Sequence, residues 1–100
     1  MNAVLNRLIS GREKIKQGWC QGSMRRLTDG KMTYCILGSV NGGMTDSVGY
    51  FAQGEMEKIL LKKEEEFDLV TWNDKRGRSQ QEVVELFDAA IIQIVGEMNS

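Results

Sequence analysis

The strongest constraint on this chain lies in its last twenty-two residues. Ser79-Gln80-Gln81-Glu82 fits a capping box, in which the serine hydroxyl accepts an early backbone N–H and Glu82 reaches back to the cap. Val83, Phe87, Ala90, Ile91, Ile94, Val95 and Met98 follow at three- and four-residue steps, so they share one helical face. A long helix with so continuous an apolar stripe must lie on something. The chain has 100 residues, enough for one domain and one core, so the remaining segments must supply the partner surface.

Residues 2–17 supply a second amphipathic helix. Val4, Leu5, Leu8, Ile9 and Ile15 recur at helical spacing, while Arg7, Arg12, Lys14 and Lys16 take other faces. Asn2 is placed to cap it and Gly18 to stop it. Gly11 is expected to cost it about 1 kcal/mol relative to Ala and to permit a bend or fraying. From Gly18 to Tyr34 the helical period vanishes. Thr28-Asp29-Gly30 separates two short runs, which predicts a small β-hairpin over residues 24–34.

Cys35-Ile36-Leu37-Gly38-Ser39-Val40 is apolar throughout and reads as a short buried helix ended by Asn41-Gly42-Gly43, with a strand as the alternative. Thr45, Asp46 and Ser47 carry N-cap chemistry for a helix to about Lys62, with Val48, Phe51, Ala52, Met56, Ile59 and Leu60 as its stripe. Lys62 to Glu66 reads as a solvated helix end or connector. Phe67 to Trp72 is expected to be a short extended segment, and Asn73 to Arg78 a polar turn. The fold class is therefore mainly α with a minor β component. It comprises about three amphipathic helices and a short buried helix around one core.

Composition excludes several classes. Basic and acidic residues number 13 and 14, for a net charge of −1, so no global field favours nucleic acid or a membrane surface. Histidine is absent, which removes Ser-His and Cys-His catalytic pairs and His-liganded metal. No apolar run reaches the roughly 18 residues of a membrane span, and the N-terminus lacks the pattern of a signal peptide. Charge is nevertheless uneven. Residues 1–30 hold six basic and two acidic side chains, whereas residues 79–100 hold four acidic and no basic ones. Either the first and last helices lie side by side with complementary faces, or the last helix presents an acidic face to a basic partner.

Four groups of residues are candidates for chemistry or binding. Cys20 and Cys35 lack a neighbouring base, so core packing in the reduced state competes with thiol catalysis and is the expected role. The carboxylates Asp46, Asp74, Asp88 and Glu64-Glu65-Glu66 show no convergence of the kind hydrolytic or metal chemistry needs, and no cofactor is implied. Trp72-Asn73-Asp74-Lys75-Arg76-Gly77-Arg78-Ser79 is a basic, glycine-containing turn before a helix N-terminus. Asn73, Asp74, Lys75, Arg76 and Arg78 there are candidate anion contacts, against the plainer reading of local turns, solvated bases and a capping serine. Among the aromatic residues, Trp19 and Trp72 are expected to close the core, and Tyr50 is the surface candidate.

Gly18-Trp19-Cys20-Gln21-Gly22, Tyr34-Cys35-Ile36-Leu37-Gly38 and Trp72-Asn73-Asp74 with Gly77-Arg78-Ser79 and Glu82-Val83 together resemble a family of small uncharacterised proteins. Its members occur in bacteria and their phages and are labelled only as a domain of unknown function. The resemblance spans roughly residues 5–92 and implies a shared fold but no activity. Members often carry Ala-Pro where this chain has Lys75-Arg76.

The function expected from these observations is a non-catalytic, cytoplasmic protein-binding module, such as a phage or mobile-element protein that engages or inhibits a host complex. The alternative is a nucleic-acid or nucleotide-binding protein that uses Arg25, Arg26, Lys75, Arg76 and Arg78, with binding that weakens steeply in salt. A thiol-dependent enzyme is a third possibility.

Overall fold

The computed structural model describes residues 2–41, 46–66 and 68–100. The expected cap at Asn2 rests on a side chain that is not described, and the Thr45 cap, the Gly42-Gly43 stop and Phe67 lie outside the described residues. Five helices and one two-stranded antiparallel sheet are found, in the order α1 (Asn2–Gln17), β1 (Arg25–Thr28), β2 (Lys31–Tyr34), α2 (Ile36–Asn41), α3 (Ser47–Lys62), α4 (Leu69–Asn73) and α5 (Gln80–Met98). The mainly helical fold class and the hairpin follow the sequence expectation.

The α5 helix begins with the predicted box: Ser79 Oγ accepts from the Glu82 amide at 3.1 Å, and Glu82 Oε1 accepts from the Ser79 amide at 2.9 Å. Its stripe seats Val83, Phe87, Ala90 and Ile94 with no exposure. Helix α1 lies along α5 and also packs on α2 and α3, while α3 closes against α5. The resulting core unites Leu8 and Ile15 of α1, Ile36 and Val40 of α2, Met56 and Leu60 of α3, Leu69 of α4, and Phe87 of α5. Full burial of a side chain such as Phe87 contributes about 1.5–3 kcal/mol.

Polar ties set the helix register. Arg12 Nε donates to Asp88 Oδ1 at 2.6 Å, so opposite charges on α1 and α5 meet. Arg7 donates to both carboxylate oxygens of Asp46, at 3.0 and 2.9 Å, and to the Val40 carbonyl at 2.8 Å. Asp46 is also the N-cap of α3, accepting from the Gly49 amide at 2.7 Å. One carboxylate thus starts α3 and pins it to α1. The Arg7 bond first, then the Gly49 amide, hold the Asp46 carboxyl at about 2.

Four expectations are corrected. Gly11 is no weak point: a Cβ there would stand 2.9 Å from both Phe87 and Val40, so its missing side chain lets α1 approach the core. Ile9 is 44% exposed and leaves the α1 stripe. Phe51 is 61% exposed, because α3 turns Ala52, Glu55 and Met56 inward instead. The segment expected to be extended is the helix α4, because Asp68 caps it, accepting from the Val70 amide at 3.1 Å. One short turn then buries Leu69, Trp72 and Asn73 at i, i+3 and i+4. Tertiary burial overrides the extended preference of a Val-Thr-Trp run.

The hairpin pairs Arg25 with Tyr34 and Thr28 with Lys31, and Asp29 and Gly30 both adopt positive φ, at 52° and 76°. Two successive positive φ values are what a two-residue hairpin turn requires. The strands are held to the helices by residues 18–20, which run beside β2: the Tyr34 amide donates to the Gly18 carbonyl and the Cys20 amide to the Tyr34 carbonyl.

Candidate functional site

The three motifs that are distant in sequence meet at Asn73. This side chain has no exposure. Its Oδ1 accepts from the Trp19 indole N–H at 2.8 Å and from the Ile36 amide at 3.0 Å. Its Nδ2 donates to the Cys20 carbonyl at 3.2 Å and to Asp74 Oδ1 at 2.9 Å. That fills the hydrogen-bonding capacity of a carboxamide. Gln21 adds two bonds to the Asn73 and Lys75 carbonyls, and the Gly22 amide donates to Asp74 Oδ1. Asn73 therefore serves as an internal lock and has no free atom for a ligand.

Arg78 is also held within the fold. Its side chain is 8% exposed, with Cζ 3.9 Å from the centre of the Trp72 ring. Nε donates to the Trp72 carbonyl at 2.9 Å, and a terminal nitrogen to Glu82 Oε2 at 2.8 Å. Stacking and these two bonds hold the guanidinium against Trp72 and Glu82. Glu82 is in turn held below the usual carboxylate range, first by the Ser79 amide and then by Arg78. The start of α5 is satisfied by its own capping box, so Ser79 caps as the plain reading has it, whereas Asn73 forms no merely local turn and Arg78 is no solvated base.

Arg25, Arg26, Lys75 and Arg76 stay exposed. Gln21 links their loops, because its carbonyl accepts from Arg26 and its amide donates to the Lys75 carbonyl. These basic residues therefore share one end of the molecule, together with the exposed Asp74.

The cysteines are both free and buried. Cys20 stands beside Tyr34 through the backbone bond already described, one residue from Cys35. Burial pushes the Cys35 thiol up, against the lowering effect of the Gly38 amide. A thiol held protonated is a poor nucleophile. Among the described residues no group of three Cys, Asp or Glu is placed to hold a metal ion.

The opposite end of the molecule carries a feature that the sequence reading located only in part. Tyr50, singled out as a surface residue, is 64% exposed and meets the exposed Phe51 edge to face, with ring centres 6.0 Å apart. Phe51 also lines a cleft of about 350 Å³ between α1, α3 and α5, together with Val4, Glu55, Lys58, Ile94 and Glu97. Its walls are mainly apolar, but Glu55 at 6% exposure brings a carboxylate into them. A larger groove of about 450 Å³ between α1 and α5 is mostly polar and includes the Arg12–Asp88 pair. The sequence signal for the smaller cleft is Glu55 itself, a carboxylate beside Ala52 and Met56 on a buried helical stripe.

No helix among the described residues is long and apolar enough to cross a membrane. A comparison with curated proteins and one with solved structures gave no match. The model of a family of unknown function, DUF6197, matches residues 3–93, which take in all three converging motifs and every lining residue of the cleft except Ile94 and Glu97. By that match over most of its length, the chain belongs to this family of unknown function.

Proposed function

We propose that the chain is a non-catalytic protein-binding module whose contact surface centres on Tyr50 and Phe51. The observation that carries this reading is the exposed aromatic pair at the mouth of an apolar cleft. Large aromatic side chains left in water represent unused burial, and such residues dominate the energetics of protein interfaces. The Asn73 carboxamide at the motif junction is satisfied internally, so its chemistry supports the fold. The resemblance to small bacterial and phage proteins makes a host complex in the cytoplasm the natural target, engaged or inhibited by a phage or mobile-element product.

The test is affinity capture from host lysate with nuclease treatment and a salt series, comparing the native chain with Tyr50→Ser and Phe51→Ser. A stoichiometric protein that survives nuclease and moderate salt is expected. Losing a central aromatic anchor typically costs about 2 kcal/mol or more, roughly thirtyfold in affinity. Capture that is indifferent to both substitutions would remove the aromatic surface from the reading.

A second reading rests on the Gln21 bridge, which brings the loops of Arg26 and Lys75 together. With Arg25 and Arg76 they form a basic end suited to a phosphate-bearing ligand, now without Arg78. Recovery that collapses with nuclease or salt, and that fails in Arg25→Glu with Lys75→Glu, would favour this surface.

A further inference from the structure

We propose, resting on the protein-binding reading, that the cleft between α1, α3 and α5 receives an arginine side chain of the protein partner, with Glu55 as its acceptor. Glu55 is the decisive residue. Its side chain is 8% exposed, and Oε2 accepts from Lys58 Nζ at 2.6 Å. Oε1 is buried with no hydrogen-bond partner among the described residues. A buried carboxylate oxygen without a donor carries a large desolvation penalty, which a donor brought by a ligand would relieve. The remaining walls set the rest of the ligand's chemistry. Phe51, with the nearly buried Val4 beside it, offers apolar surface for a methylene stem, and its aromatic ring is a group on which a cation can stack. Glu55 and Glu97 against Lys58 leave the lining one negative charge in excess, which a single guanidinium balances.

Surrounding charge points the same way. Of the four carboxylates on α5, which carries no basic residue, Glu82 and Asp88 are paired with Arg78 and Arg12, so the acidic group α5 brings to the cleft is Glu97, 3.9 Å from Lys58. Arginine fits better than lysine because its planar fork can reach Glu55 while stacking on Phe51. Oε1 itself is closed to water, so the guanidinium gains it by turning the carboxylate or displacing the half-exposed Lys58. Lys58 thus acts as an internal stand-in for the arriving cation. That gives the proposal an unusual signature: removing Lys58 should strengthen binding while removing the Glu55 charge weakens it.

The probe is acetyl-Leu-Arg-Leu-amide, titrated to tens of millimolar into the full ¹⁵N-labelled chain, with citrulline and norleucine versions as controls. Amide shifts are expected at Val4, Phe51, Glu55, Lys58, Ile94 and Glu97 with the arginine peptide. Glu55→Gln should weaken them at least tenfold, Glu97→Lys several-fold, and Lys58→Met should strengthen them several-fold. The Glu97 and Lys58 side chains are exposed enough that these two variants keep the test open should Glu55→Gln unfold. The proposal is overturned by equal responses to arginine and citrulline, by shifts confined to Glu82, Glu85 and Asp88, or by no shift at all. Concentration-dependent shifts at the same amides without peptide would place a second copy of the chain in the cleft and overturn it also. Failure of the wider reading looks different. A captured protein lost in Phe51→Ser but kept in Glu55→Gln leaves the module standing and removes only the arginine.

Discussion

Replacing Asn73 by alanine tests whether the junction of the three motifs holds the fold together. The substitution leaves the Ile36 amide and the Cys20 carbonyl without their partner, and both of those bonds are buried. The Trp19 indole loses its acceptor in a partly buried position. Each buried backbone group stranded in this way costs about 1–3 kcal/mol, so Asn73→Ala should lose about 3–5 kcal/mol. A domain of this size has only about 5–15 kcal/mol to lose, and the midpoint temperature should fall by about 15 °C or more. The chain supplies its own probe, since its two tryptophans, Trp19 and Trp72, both belong to the junction. Urea unfolding followed by tryptophan fluorescence gives the number directly. Asn73→Asp sharpens the test through pH. It keeps the oxygen that Trp19 and Ile36 need, but turns the donor that faced the Cys20 carbonyl and Asp74 Oδ1 into a second oxygen. Burial beside Asp74 raises the folded-state pKa of the new carboxyl above its unfolded value of about 3.9. An acid raised in this way is penalised only where it must ionise. The extra loss should therefore be smallest below about pH 4 and grow as pH rises toward 7. A loss under about 1 kcal/mol in Asn73→Ala, or a pH-independent Asn73→Asp, would refute the lock.

Three further outcomes follow from the packing and the ionisation states. Gly11→Ala should gain about 1 kcal/mol in helix propensity but lose about 1–3 kcal/mol against Phe87 and Val40, for a net loss in urea unfolding; a net gain would mean the core yields there. Acid should weaken the fold in a defined window. Asp46 sits at about 2 against its usual 3.8, and Glu82 is also depressed, so their stabilisation is complete above the ordinary carboxylate values and fades as pH falls toward 2. Asp46→Asn should flatten that fall between pH 4 and 2 in urea midpoints, and an unchanged slope would show that the Arg7 tie does not shape it. Iodoacetamide at neutral pH should modify Cys35 only at the rate of transient opening and therefore faster in urea, whereas rapid native alkylation, read by mass spectrometry, would revive the thiol-enzyme reading.

How much of this was legible beforehand depended on whether a residue's role was local. The α5 cap, the Asp46 cap and the Asp29-Gly30 turn are decided by neighbours within four residues, and each appears where the sequence places it. Asn73 looked like a surface turn residue because carboxamides near Asp and Gly usually are. Its burial depends on Trp19, Cys20 and Ile36, which lie more than thirty positions away, so no window of sequence contains the argument. Arg78 misled although its partners Trp72 and Glu82 are near in sequence: its charge is visible there, but the Trp72 ring is brought over it only when α4 forms. On α3 the expectation for Phe51 failed, and Glu55 was given no place in the stripe. Phe51 and Glu55 lie four positions apart on the same side of α3, Glu55 nearer the line of Ala52 and Met56, and hydrophobicity alone favours burying the phenylalanine. The fold does the reverse, exposing the ring and burying the carboxylate. A core built only for stability would not make that exchange, since it forfeits aromatic burial and leaves an acceptor oxygen unpaired. Local sequence rules fail most informatively where a chain gives up stability for contact with something else. The α3 helix does so at Phe51 and Glu55, at the cleft where the aromatic pair is also exposed.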